Sequence, residues 1–261
     1  MRSLSIAATG MLAQETNVEV ISNNIANMNT TAFKTQRPEF QDLLYQDLRR
    51  IGSSSSDSGT VVPAGIQVGV GVKTGAVYRI TQQGNLTSTS NSLDLAIQGK
   101  GYFQIQLPGN ALAYTRDGSF QLSPTGQIVT QDGYLVQPTI TVPPNATSVS
   151  ISNTGLVQVS IANQVNPQTV GQLNLAIFPN DAGLEAMGQN LVLESASSGA
   201  AQLATPGSPG YGTIQQGFLE TSNVDPVNEI SNLITAQRAY EMNSKVITTS
   251  DQMLQDITQL R

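Results

Sequence analysis

The sequence predicts an α+β protein in which long N- and C-terminal helices pair as a coiled coil, with a central all-β domain that resembles a barrel or sandwich. Three observations predict this class. Apolar residues recur every seven positions over residues 225–260, and a matching heptad pattern occupies residues 4–28. The residues between them form short alternating runs bounded by Gly, Pro, Asn and Asp, as strands do. The predicted parts are a helical core (1–35 with 225–261), an extended linker or clamp (36–75) and a β-rich outer domain (76–224).

The N-terminal helix is predicted to run from about Ser3 to Asn27. One heptad position on it is apolar throughout, occupied by Leu4, Met11, Val18 and Ile25. Gly10 lies among alanines, so the helix also has a face of small residues that another backbone can approach closely. A stripe of this kind requires a partner, because one long helix cannot bury it against itself.

An asparagine-rich stretch, residues 22–35, is predicted to end this helix. Asn is a poor residue for a helix interior, but it tolerates the left-handed conformation and bonds local backbone. We therefore expect Asn24, Asn27 and Phe33 to be more sensitive to substitution than their exposure suggests.

The segment that follows is predicted to be extended or weakly helical. Residues 38–50 suit either a short amphipathic helix or an extended arm, and residues 52–65 are rich in Ser and Gly. Residues 66–80 alternate like a strand. Residues 69–74 resemble a phosphate-binding loop only superficially, because Val72 stands where that loop requires Gly; glycine bulges in a strand are the better interpretation.

Residues 76–218 are predicted to be β throughout. Asp117-Gly118 and Asp132-Gly133 are expected to form hairpin turns. The spacing of Asp181 and Glu185 is compatible with one helical turn, but no third ligand or base is near them in sequence, so a catalytic carboxylate pair is disfavoured.

The C-terminal helix is predicted to start at Asp225, whose carboxylate can accept the first free N–H groups, with Pro226 in the first turn. Its main stripe is Leu233, Tyr240, Ile247 and Leu254. The two terminal helices are expected to pair, either parallel or antiparallel; two separate surface helices on the β domain are the alternative. Arg238, Glu241 and Lys245 form either a solvated face or an ion pair between subunits.

Composition excludes several classes of function. The 261 residues carry a net charge of −6 with no basic cluster, so nucleic acid is not expected as a partner. The chain has no Cys and no His, which removes disulfides, thiolate nucleophiles, histidine bases and most zinc sites. We expect no enzyme activity, no cofactor and no cleavable signal peptide.

Two motifs resemble those of the bacterial flagellar rod and hook proteins. The first, SNNIANMNTTAFK (22–34), carries Asn24, Asn27, Asn29 and Phe33, and the second (222–254) carries Arg238. Ala32 stands where that family usually has Gly, so the turn before Phe33 is expected to be built differently.

The resemblance implies a structural subunit of the distal part of the rod. Such subunits form a helical tube, with terminal helices around the export channel and β domains outside, which transmits torque. The implied partners are other copies of the chain, the proximal rod proteins, the hook protein, the bushing rings of the peptidoglycan layer and outer membrane, and the flagellar type III export apparatus. The implied location is the part of the basal body that crosses the periplasm.

Two alternatives remain at this point. One is another axial subunit, of the proximal rod or hook. The other is an exported β-rich enzyme acting on polysaccharide, which the absence of His and Trp disfavours.

The segment between the first helix and the β domain is expected to act as a clamp on neighbouring subunits. Its candidate contacts are Leu43, Leu44, Leu48 and Ile66. A clamp repeated around a tube would block the sliding that bending requires.

Overall fold

The computed structural model describes residues 2–49, 65–162, 164 and 166–259, and it has the predicted α+β class. Two long helices flank a β-rich middle. The helices are α1 (Arg2–Ala26) and α2 (Pro226–Gln259), each within one or two residues of its predicted bounds. No helix within the described residues is long and apolar enough to cross a membrane.

The chain divides into two compact units. The first comprises residues 1–26, 36–78 and 225–261, and the second comprises residues 27–35 and 79–224. The segment predicted as a separate linker, 36–75, thus groups with the two helices.

The first unit combines α1 and α2 with four strands. These are β1 (Gln36–Asp42), β2 (Tyr45–Arg49), β3 (Ile66–Gly69) and β4 (Val72–Arg79), the last of which ends one residue beyond the unit. β1 pairs with β4, and β2 pairs antiparallel with β3. Residues 40–49 are therefore extended. Of the two alternatives predicted for residues 38–50, the extended arm is confirmed and the short amphipathic helix is wrong.

The single strand predicted over residues 66–80 is divided into β3 and β4. Gly71 between them has φ +132, and a Cβ there would lie 2.1 Å from Thr9 Oγ1 on α1. Only a residue without a side chain fits so close to the helix, so the glycine breaks the strand where it passes α1.

The second unit contains sixteen described strands. They are β5 (Leu86–Ser88), β6 (Leu95–Gln98), β7 (Tyr102–Gln106), β8 (Leu112–Thr115), β9 (Gln121–Leu122), β10 (Ile128–Val129), β11 (Leu135–Gln137), β12 (Ala146–Ile151), β13 (Leu156–Ile161), β14 (Gln168–Gln172), β15 (Leu175–Ile177), β16 (Glu185–Gly188), β17 (Leu191–Leu193), β18 (Gln202–Ala204), β19 (Thr213–Gln216) and β20 (Phe218–Glu220).

The largest sheet has the order β16-β17-β8-β7-β11-β10-β9, and β15 joins β7 to β18 beside it. A three-stranded sheet, β12-β13-β14, and the pairs β6-β19 and β5-β20 complete the unit. The core contains the edge-to-face pair Phe103 and Phe120, whose ring centroids lie 5.1 Å apart.

One of the two predicted hairpin turns is confirmed and the other is wrong. Asp132-Gly133 joins the paired strands β10 and β11, with Gly133 at φ +83. Asp117-Gly118 lies between β8 and β9, which do not pair. A Cβ at Gly118 would lie 1.6 Å from the Leu95 carbonyl oxygen, so this glycine permits a close backbone approach instead. Asp181 and Glu185 also do not share a helical turn, because Glu185 begins β16 after a short 3₁₀ helix (Asp181–Gly183).

Candidate assembly surfaces

The two terminal helices pack antiparallel. Three contacts define the register: Ser250 Oγ donates to Ser3 Oγ at 3.3 Å, Gly10 lies against the Asn243 side chain, and Asn24 Nδ2 donates to Glu229 Oε2 at 3.4 Å. Along α1 these contacts fall at residues 3, 10 and 24, and along α2 they fall at residues 250, 243 and 229. The residue numbers rise on one helix by the same amount as they fall on the other, so the helices are antiparallel rather than parallel.

Small and polar residues make the three contacts that define the register of this seam, and Val20 and Ile21 are the larger buried residues of α1. The buried residues of α1 are Ala7, Ala13, Val20, Ile21 and Asn24, and those of α2 include Ala236 and Ser250. A Cβ at Gly10 would lie 2.9 Å from Asn243 Nδ2, so the absence of a side chain at Gly10 makes room for the Asn243 amide.

The residues predicted for the seam lie at its margins. Leu4, Met11, Val18, Ile25, Leu233, Ile247 and Leu254 are half-buried, and Tyr240 is 44% exposed. On α1 the predicted stripe is one residue, about 100° of rotation, away from Ser3, Gly10 and Asn24.

The start of α2 is capped as predicted. Asp225 Oδ1 accepts hydrogen bonds from the backbone N–H of Val227 at 3.0 Å and of Asn228 at 3.5 Å. Asn228 Nδ2 donates to the second carboxylate oxygen at 2.7 Å. Aspartate at this position satisfies free N–H groups and interacts favourably with the helix dipole.

Asn24 joins three segments of the first unit. Its amide is 1% exposed. Nδ2 donates to the Gln36 carbonyl at 2.9 Å as well as to Glu229, and Oδ1 accepts from the Gln36 N–H at 2.9 Å. One side chain thus fixes the end of α1, the start of β1 and the first turn of α2, which gives Asn24 of the motif a structural role.

The rest of the first motif lies in the second unit. Asn27 Oδ1 accepts from Thr30 Oγ1 at 3.1 Å, Phe33 is half-buried, and Asn29 is exposed. Ala32 has φ +57, and its N–H donates to the Glu220 carbonyl at 2.8 Å. The expectation of a differently built turn is thus not met, because alanine here adopts the left-handed conformation that glycine favours.

A buried charge cluster in the second unit was missed by sequence reasoning. Glu220 lies between Lys34 Nζ and Arg116 Nε, which donates at 2.9 Å, and its side chain is fully buried. Gly84 N–H also donates to this carboxylate at 2.9 Å. Burial alone would raise the pKa of Glu220, but attraction to Arg116 and Lys34 and the hydrogen bonds outweigh it and lower that pKa.

Asn223 is a second polar junction that sequence reasoning missed. Its Oδ1 accepts from both the N–H and the hydroxyl of Thr35, each at 2.7 Å. Its Nδ2 donates to the carbonyls of Ile80 and Gln82. The signal that could have indicated it is its position next to the α2 cap, inside the second motif.

The outer face of α2 exposes apolar side chains. Four exposed apolar residues and one arginine are spaced four residues apart along α2, and the arginine, Arg238, is the middle one of the five. We call this set the α2 ridge: Ile230, Ile234, Arg238, Met242 and Val246. Within the described residues, Arg238, Glu241 and Lys245 form no ion pair.

A groove opens between α1 and β4. Its less exposed lining is Thr9, Ala13, Thr16, Leu43 and Val72. On its helix side lie Glu15, Glu19 and Leu12, which is 63% exposed, and on its strand side lie Lys73 and Thr74. We call this the α1–β4 groove. Its exposed helix residues Leu12 and Glu19 are about 160–180° from Gly10 around the helix, whereas its buried residue Ala13 is about 60° from Gly10.

The predicted clamp residues lie on or beside the β2–β3 ribbon. Leu43 is half-buried, whereas Leu44 is 86% exposed, and Leu48 and Ile66 are also exposed. The remainder of the predicted clamp, residues 50–64, lies outside the described residues.

Three family models match the chain in order. The model "Flagella basal body rod protein" matches residues 4–34, "Flagellar hook protein FlgE/F/G D1 domain" matches residues 96–159, and "Flagellar basal body rod FlgEFG protein C-terminal" matches residues 215–260. The two terminal matches contain the α2 ridge and, apart from Ser3, the residues that define the seam.

Curated relatives extend this similarity over the whole chain. The flagellar basal-body rod protein FlgG of Caulobacter vibrioides is 64% identical over all of both chains. The protein of the same name from Bacillus subtilis is 41% identical over 100% of this chain and 99% of that one. The flagellar hook-basal body complex protein FlhP of Bacillus subtilis is 30% identical over all of both.

Proposed function

The chain belongs to the flagellar basal-body rod protein family, and we propose that it is a subunit of the distal rod. In this role it polymerises into a helical tube that transmits torque and encloses the export channel. The single observation that carries the proposal is the full-length identity of 64% to a basal-body rod protein. The exposed apolar ridge on α2 supports it, because apolar side chains repeated along one helix face are suited to burial in an assembly.

The helix pair is the proposed inner layer of the tube. Coiled-coil pairing of α1 with α2 would extend the heptad contacts seen at Ser3, Gly10 and Asn24, and the β-rich unit would form the outer layer. Neighbouring helix pairs would then cover the apolar face that one chain leaves exposed.

The proposed neighbours are the proximal rod proteins and the hook protein. The bushing rings and the type III export apparatus are proposed as further partners, and the rod would cross the periplasm. Another axial position is less favoured, since in Bacillus subtilis identity falls from 41% for the rod protein to 30% for FlhP. A polysaccharide-acting enzyme is not favoured, because the relatives named above are flagellar axial proteins.

Complementation followed by imaging tests the proposal. Cells whose own copy has been deleted should lack external filaments, and this chain should restore motility. Reconstruction of purified basal bodies should then show the chain as a straight tube immediately below the hook. Restored motility with the chain located in the hook or the proximal rod would contradict the distal assignment.

A further inference from the structure

We propose that the α1–β4 groove of one subunit receives the α2 ridge of the next, with Arg238 paired to Glu15 and Glu19. This inference rests on the proposed function and names the partner surface of the ridge: a second copy of this chain. It joins two surfaces that are left open among the residues that the structure describes.

The shapes of the two surfaces correspond. Residues four apart form a continuous ridge on a helix, and such ridges pack into grooves lined by the side chains of another element. On the ridge, Ile234 and Met242 stand one turn on either side of Arg238. In the groove, Leu12 and the apolar lining between α1 and β4 provide a matching apolar surface.

The charges also correspond on both sides of the groove. The helix side carries Glu15 and Glu19 one turn apart, and the strand side carries Lys73. The ridge carries Arg238 with Glu241 beside it on the same face. A ridge seated in the groove can place Arg238 against the two glutamates and Glu241 against Lys73. None of these five side chains forms an ion pair within the described part of the chain.

The contact joins two different surfaces of the same protein. Such a heterologous interface leaves a free ridge on one copy and a free groove on the other, so addition of subunits continues indefinitely unless the rotation closes a ring. A helical rod requires this kind of contact.

Engineered cysteines test the contact directly, because the natural chain has no Cys. Cells lacking their own copy would express a mixture of Glu19→Cys and Met242→Cys subunits, and basal bodies would be purified under oxidising conditions. A disulfide-linked dimer should form in the mixture and not with either variant alone. Glu19→Cys mixed with Met253→Cys is the matched control, because Met253 lies about 16 Å farther along α2.

Charge reversal provides the second measurement. E15K/E19K and R238E should each reduce the number of complete rods about tenfold or more, and the combined variant should restore most of them. Asp256→Lys, a reversal on α2 outside the ridge, should have little effect. Normal rods without the cross-link, or combined charges that restore nothing, would overturn this contact while leaving the proposed function intact. If the unsubstituted chain forms no rods, the proposed function fails as well.

Discussion

Ala32 shows how a neighbouring hydrogen bond can hold a residue in a conformation that its side chain disfavours. The left-handed region costs a residue other than glycine roughly 1–2 kcal/mol. At φ +57 the N–H of Ala32 points at the Glu220 carbonyl, and that bond is 2.8 Å long. The turn is therefore determined by the segment it contacts as much as by its own residue.

Ala32→Gly should stabilise the protein. The relief of strain, about 1–2 kcal/mol, exceeds the extra chain entropy of glycine, about 0.4–1 kcal/mol. We expect a gain of up to about 1 kcal/mol in the free energy of unfolding, measured by denaturant titration. Ala32→Val is the opposing control and should be destabilising. Equal stability of the three proteins would contradict the argument.

Glu220 is the residue on which the buried charge cluster depends. Lys34 and Arg116 both use its carboxylate, so replacing it with Gln leaves two buried cations without a counter-charge. Removing one partner from a buried pair typically costs about 3–5 kcal/mol. Glu220→Gln should therefore destabilise the second unit strongly, whereas Glu185→Gln, on an exposed strand, should change little.

The same residue should make stability depend on pH. Because the folded-state pKa of Glu220 is below its unfolded value of about 4.5, its contribution is fully present above pH 4.5 and is lost as the pH falls through the lower folded-state pKa. Thermal unfolding of the natural protein and of Glu220→Gln should thus differ most near neutral pH and converge in acid. A difference between the two that does not change with pH would refute this assignment.

At the scale of elements, Gly10 controls how closely α1 and α2 approach. Gly10→Leu would place a side chain where Asn243 already stands 2.9 Å from the site of a Cβ. We expect this substitution to separate the helices and prevent rod assembly, scored by motility and by counting rods in purified basal bodies. Gly10→Ala should be tolerated, since the atom in its way is the end of a flexible side chain and alanine favours the helix by about 1 kcal/mol.

The double variant Gly10→Leu/Asn243→Ala tests whether the effect acts through this contact. Removing the Asn243 amide frees volume at the same point of the seam, so assembly should recover in part. If the double variant is as defective as Gly10→Leu alone, the defect arises elsewhere.

The pairing of α1 with α2 is expected to be weak before assembly. The buried large apolar residues of α1 are Val20 and Ile21, and the buried residues described on α2 are Ala236 and Ser250, so the pair has few fully buried apolar side chains. Circular dichroism should show less helix in the monomer than in the polymer. Equal helix content in both states would show that the pair is stable alone.

The helices could be predicted from sequence closely, but their contact face could not. Asp225-Pro226 and the asparagine-rich stretch mark helix ends by local chemistry, which a sequence displays directly. The heptads indicated the apolar residues, whereas the residue that packs against Asn243 is Gly10 and a buried residue of α2 is Ala236, and both carry almost no hydrophobic signal. Glu220 and Asn223 were not predicted because their partners are separated from them by up to 188 residues.

At the scale of the whole molecule, sparse charge favours self-association. Charged residues make up 11% of the chain, and Glu220 holds its buried ion pairs with Lys34 and Arg116. Sparse charge leaves little repulsion to oppose contacts between copies.

The stiffness of the polymer is predicted to depend on the segment between α1 and the β-rich unit. The β2–β3 ribbon exposes Leu44, Leu48 and Ile66, and a two-stranded ribbon is only marginally stable by itself. If these side chains are buried on neighbouring subunits, each contributes roughly 1.5–3 kcal/mol before ordering costs. Such contacts, repeated around a tube, would oppose the sliding between subunits that bending requires.

Deletion of residues 46–64 should therefore yield rods that assemble but are more flexible or curved. The deletion removes residues 46–49 of β2, with Leu48, and the segment 50–64, so the ribbon with β3 cannot form and Leu44 and Ile66 lose their support. It leaves α1, α2 and the ridge unchanged. Curvature would be measured in electron micrographs of purified basal bodies. The control for chain length replaces residues 46–64 with a Gly/Ser stretch of equal length. Rods of this variant should be as flexible as rods of the deletion variant, because the apolar contacts, and not the length of the segment, supply the stiffness. Rods as straight as the parent in both variants would show that stiffness comes from the helices instead.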